Sequence, residues 1–246
     1  MGDIMNKKLT VILAAIFISV LGIAAISKAQ TMKNEGLNAK QENIVTIAAF
    51  TAKGDLDKLK AALNEGLDAG LTVNEIKEVL VQMYAYAGFP RSLNGIGTFM
   101  SVMEERQKKG IKDEPGREAS PLPPNKSRLE LGTEIQTRLI GSPASGAIYT
   151  FAPAIDAFLK EHLFADIFGR DNLAFQSREI ATISALASME GVNPQLRAHF
   201  SIGFNTGLTE AQMKSLISVL AAKVGKKEAD NAHEILGQVL SEGLRD

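Results

Sequence analysis

His199 sits among Leu196, Phe200 and Gly203, and Glu179 stands upstream of it, directly after Arg178. Histidine titrates near neutral pH, so a histidine beside a carboxylate can move protons as a general acid and base. The same ring could equally be a core-edge side chain bonded to a backbone carbonyl. Glu179 also has two readings: a partner for His199, or a carboxylate favoured by the dipole at a helix start. Arg178 and Arg197 could hold a substrate carboxylate through paired N–H···O bonds, or serve as ordinary ion-pair residues. Tyr84 and Tyr86 read as core or interface aromatics, with Tyr86 able to face a site. His162 and His233 show no second ligand at metal-binding spacing, so no metal is expected. The 246-residue chain has no cysteine, which excludes thiolate nucleophiles, thiolate–metal centres and disulfide exchange. Gly-rich phosphate loops and nucleophile elbows are absent. A formal net charge of −1 gives no reason to expect nucleic acid.

These residues need helices to hold them. Ile44, Ile47, Ala48 and Thr51 fall on one helical face until Gly54-Asp55 breaks it. Leu59, Leu63, Gly66 and Leu67 form the stripe of a second helix, ended by Gly70. Thr72 and Glu75 read as a capping box for a third helix. Gly88-Phe89-Pro90 turns the chain into a fourth, running to about Lys109. Helical patterns resume near Leu129, break around Gly141-Ser142-Pro143, and return from about Ala154 to Phe168. Ser177-Arg178-Glu179 then opens a helix, Asn193-Pro194 caps and starts the next, and Thr209 with Gln212 forms another capping box. No stretch alternates with period two, so the fold class is all-α.

The second half repeats the first. At a shift of 137 residues, Leu59, Gly66, Gly70, Leu71, Thr72 and Gly88 match Leu196, Gly203, Gly207, Leu208, Thr209 and Gly225. Shared turn glycines and caps indicate an internal duplication. Gly66 and Gly203 lie inside helices, where glycine costs about 1 kcal/mol against alanine, so another helix is expected close by. The units span residues 41–109 and 128–246, joined by a Pro-, Gly- and charge-rich linker at 110–127. Residues 1–29, with Lys7-Lys8, an apolar run from Leu9 to Ile26 and the small-residue exit at Ala29, read as a secretory signal peptide. The protein is then periplasmic or secreted and free of the membrane after cleavage. An uncleaved membrane anchor is the alternative.

Several stretches resemble the carboxymuconolactone decarboxylase family, which includes the alkylhydroperoxidase D-like proteins. Tyr86-Ala87-Gly88-Phe89-Pro90, with Asn94, is similar to that family's Y-A-G-x-P turn. Arg178-Glu179-Ile180 resembles its R-E-[LI] helix, and Leu196-Arg197-Ala198-His199 its L-R-x-H helix. Asn205-Thr206-Gly207-Leu208-Thr209 resembles its N-x-G-L-T turn, and the segment from Leu163 to Arg170 its lead-in. The resemblance implies a tandem helical bundle of the alkylhydroperoxidase D-like type, assembled as a homotrimer. Peroxidase members carry a C-x-x-C pair just before the histidine. Here Val192 and Gln195 stand there, and Asp55 and Lys58 in the first unit, so thiol-peroxidase activity is excluded. What the resemblance then implies is decarboxylation of a small carboxylated lactone without a cofactor. His199 would be the acid/base and Glu179 its partner, with Arg178, Arg197, Tyr86 and Asn205 at the substrate. A non-catalytic binding or assembly protein on the same scaffold is the alternative. The first unit is degenerate, with Ala62 at the histidine position and Asn43 at the glutamate position. The Tyr-Gly-Phe-Pro turn is confined to that unit, so a division of labour is expected.

Overall fold

The computed structural model describes residues 35–243, which are helical with no strand among them. The signal-peptide reading of residues 1–29 lies outside the described residues. Among the described residues, no helix is long and apolar enough to cross a membrane.

The first unit comprises α1 (Ala39–Lys53), α2 (Leu56–Asp68), α3 (Val73–Gln82), the single turn α4 (Tyr84–Ala87) and α5 (Phe89–Lys108). Asn38 and Gln41 cap α1 reciprocally, and Thr72 and Glu75 do the same for α3. Gly88 links α4 to α5 at φ 87°, a left-handed value that L side chains avoid.

A helical excursion follows: α6 (Arg128–Ile140), α7 (Ala147–Phe151), α8 (Pro153–Ala157) and α9 (Phe158–Phe168). α9 is wound in wide π-type turns, where the apolar spacing predicts an ordinary helix over 154–168. It packs closely on α6, and a Cβ at Gly132 would run into the backbone carbonyl of Lys160.

The second unit comprises α10 (Phe175–Ala187), α11 (Asn193–Asn205), α12 (Glu210–Val219), the wide turn α13 (Leu220–Val224) and α14 (Lys226–Gly243). Its helices keep the order of α1 to α5. A shift of 137 residues takes both ends of α2 and α3 onto those of α11 and α12. Thr209 and Gln212 form the expected capping box. The expected Asn193 cap is displaced: the cap position falls on Val192, which offers no side-chain bond, and Asn193 instead pairs its amide with that of Asn231.

α1 and α10 are buried on every side, from Asn43 to Ala52 and from Arg178 to Ala187. They pack against each other at the centre of one core drawn from both units. Each also meets the short turn of the opposite unit, α4 against α10 and α13 against α1. Gly66 and Gly203 admit close neighbours from adjoining elements, Ile47 and Leu71 in one case, Met213 and Ile183 in the other.

The linker composition at 110–127 yields no regular helix, yet the segment is tied down. The backbone N–H groups of Val73 and Asn74, at the start of α3, donate to the carbonyls of Glu114 and Pro115. Arg106 binds Asp113 through two nitrogens and reaches Asp68.

Candidate active site

Glu179 is one turn into α10 and fully buried; His199 is midway along α11 with its side chain 12% exposed. α10 and α11 pack side by side, and this brings His199 Nδ1 to 2.7 Å from Glu179 Oε2. With the carboxylate accepting from Nδ1–H, the ring is oriented and Nε2 is left to take up or hand over a proton. Tyr86 comes from α4 of the first unit and meets the His199 ring edge-on, with centroids 5.4 Å apart. Burial raises the Tyr86 pKa well above that of an ordinary phenol, and the nearby Glu179 charge adds to this. Tyr86 therefore remains a hydroxyl donor. Its Oη and the second oxygen of Glu179 are buried without hydrogen-bond partners. Two polar atoms are thus left unpaired beside an oriented imidazole, an arrangement that ordinarily costs stability.

Arg178 is adjacent in sequence but engaged elsewhere. It is fully buried, donates to Glu78 and Gln82 on α3, and also reaches the Arg170 carbonyl. Gln82 in turn donates to the Arg178 carbonyl and the Thr182 hydroxyl, locking α3 to α10. Arg170 completes the cluster with a two-pronged contact to Glu78. Burial pushes the Glu78 carboxyl up, but the bonds from Arg170 and Arg178 prevail and hold it below the usual carboxylate range. Burial likewise pulls the Arg178 pKa down, with Glu78 opposing. The guanidinium is spent on structure and is not presented to a substrate.

Arg197 and Asn205 are also placed away from the pair. Arg197 is about half exposed and bonds Glu242 on α14. Asn205 donates to the carbonyls of Leu139 and Ile140, stitching the end of α11 to the end of α6. α6 and α9 form a small apolar cluster with Ile202 on the side where Tyr84 and Tyr86 pack. Two cavities of ≈ 410 and ≈ 480 Å³ lie instead at the C-terminal ends of α1 and α10, and neither is lined by His199 or Glu179.

His162, read from the sequence as having no second ligand near it, has a carboxylate partner one turn away. His162 and Asp166 are one helical turn apart on α9, with Nδ1 2.9 Å from Asp166 Oδ2. Tyr84 Oη meets His162 Nε2, and Arg128 Nε is 2.5 Å from Asp166. The signal was the i, i+4 spacing itself. Among the described residues, no group of three or more His, Cys, Asp or Glu is placed to hold a metal.

Comparison with known proteins returns one family. Residues 23–97 match the sequence model of the carboxymuconolactone decarboxylase family. A similar curated protein is an uncharacterized 15.0 kDa protein in the nqo9-nqo10 intergenic region of Paracoccus denitrificans. It is 35% identical over 78 residues, which are 31% of this chain and 58% of that protein. The family match covers the first unit as far as residue 97, including Tyr86, and leaves Glu179 and His199 outside it.

Proposed function

We propose that this chain, whose residues 23–97 match the carboxymuconolactone decarboxylase family, decarboxylates a small carboxylated lactone by acid–base chemistry at His199. The observation that supports this reading is the Glu179–His199 contact at 2.7 Å, beside two buried polar atoms that lack partners. In the reaction the C–C bond to the carboxylate breaks and CO2 leaves. The electron pair moves into the conjugated system that ends at the lactone carbonyl. His199 Nε2 delivers a proton to the resulting carbanionic carbon and recovers one from water. Glu179 holds the ring through Nδ1, and the Tyr86 hydroxyl donates to the oxygen where negative charge collects. Export of the mature chain, and its assembly as a homotrimer, belong to the same proposal.

One observation favours a non-catalytic binding role on this scaffold instead: the apolar contacts of α6 and α9 lie close around the site, leaving His199 little exposed. Ultraviolet absorbance of a carboxymuconolactone solution separates the two readings. We expect turnover by the purified protein and a loss of about 10²–10⁴-fold in His199→Ala. Absence of turnover in the unaltered protein would remove the decarboxylase reading and leave the binding role.

A further inference from the structure

Single exposed apolar side chains are ordinary on a protein surface, but here they gather. Among the described residues, the exposed large apolar side chains other than Leu56, Ile111 and Leu129 all fall on two stripes. The first runs along α5: Phe89, Leu93 and Met100, with half-buried Ile96 between them, recur at helical spacing. Phe89 and Leu93 are 60% and 61% exposed. The second runs from α7 into α9: Ile148, Phe151, Ile155 and Phe158 recur at steps of three and four residues, and Phe151 is 92% exposed. Tyr84 joins the stripes. Its ring stacks on Phe89 with centroids 4.3 Å apart, and its hydroxyl meets His162, one turn beyond Phe158 on α9. We propose that the two stripes form one face, through which the chain docks onto further copies of itself.

The area is that of an interface. Taking about 150–250 Å² for a whole large side chain, the seven exposed ones present roughly 800 Å² of apolar surface at their observed exposures. The largest apolar patch on a typical monomer is roughly 300–600 Å². A stable protein–protein interface covers about 800 Å² on each partner.

The charges favour protein over lipid as the occupant. Helices that lie in a membrane surface carry Lys and Arg on their polar side for anionic headgroups. The stretch Ala147–Phe158 contains neither, and its one acid, Asp156, is paired with Lys160 at 2.6 Å. Arg128, which reaches α9 from α6, is likewise taken up by Asp166. Interface cores are poor in charge and rich in Phe and Met, as this face is. A copy of the same chain brings the same uncharged surface, so two faces cover each other without stranding a charge. The inference gives a surface to the homotrimer and rests on that reading for its partner, but not on the decarboxylase chemistry.

Sedimentation velocity of the full chain at micromolar concentration tests it. The unaltered protein should sediment as a multiple of 26.4 kDa. The double variant Phe151→Asp, Phe158→Asp should fall to the single chain, its dissociation constant raised about a hundredfold or more. Leu93→Asp, on the other stripe, should weaken assembly too. All three side chains are exposed, so circular dichroism melts should match the unaltered protein. Leu56→Asp, an exposed leucine off the face, should leave assembly intact. An unaltered protein that sediments as a single chain would overturn the proposal. Were that single chain to bind phosphatidylcholine vesicles, and the double variant not, the face would belong to lipid. Assembly that survives both Leu93→Asp and the double variant would also overturn it, while leaving the homotrimer to another surface. Lactone turnover, read by absorbance, bears on the decarboxylase alone.

Discussion

Two arginines flank the candidate pair in sequence, and neither serves it. Arg197 is two residues from His199 on a helix, and positions two apart point to different sides. That it faces away from His199 was therefore readable from spacing, whereas its partner Glu242, on α14, was not. Arg178 was not: its partners Glu78 and Gln82 lie on α3, so only the packing of α3 against α10 discloses that its charge is consumed. Glu78→Gln should cost about 3–5 kcal/mol, because it leaves a buried guanidinium without its carboxylate. The pH dependence follows from the depressed Glu78 pKa. The folded chain keeps this carboxylate charged at a lower pH than the unfolded chain does. Its contribution is complete above the ordinary carboxylate value of 4.5 and fades as pH falls through the lower folded value. Urea denaturation of wild type and variant should therefore differ most near neutral pH and converge in acid; a constant difference would contradict the assignment. At the site itself, Tyr86→Phe should lower kcat at least tenfold while preserving the fold, since only a hydroxyl without a structural partner is lost. Steady-state kinetics with circular dichroism checks both halves of that statement.

At the scale of elements, capping residues and helix-breaking glycines marked most boundaries in advance, because they act within a few residues of themselves. Both threonine capping boxes stand where the sequence puts them. The wide winding of α9 had no such marker: it shows in how Lys160 meets Gly132 on α6, a contact between segments far apart in sequence. Gly132→Ala should consequently be severe. The new methyl meets backbone rather than a movable side-chain end, so several kcal/mol of overpacking strain is expected. Hydrogen exchange should show α6 and α9 losing protection while α1 and α10 keep theirs. Unchanged protection in α6 would argue against the close crossing.

For the molecule as a whole, the all-α class was legible, as was the repeated order of helices. What periodicity could not convey is that the two units share a single core. α1 and α10 are each other's main burial partner, and the Gln82 bonds to Arg178 and Thr182 cross between units. The first unit expressed alone, residues 35–109, should fail to fold, since α1 would expose the face it buries on α10. Circular dichroism of that fragment should show little cooperative melting, whereas the full chain should unfold in one urea transition. A fragment that melts cooperatively would refute the shared core.

The exchange of short turns between the units, α4 onto α10 and α13 onto α1, has one more consequence. Were the two units separate, identical chains, every substitution would appear twice, and a change that helped one crevice would be imposed on the other. Covalent fusion lifts that constraint. A single codon can now place histidine on one side and alanine on the other, so the two crevices are free to differ.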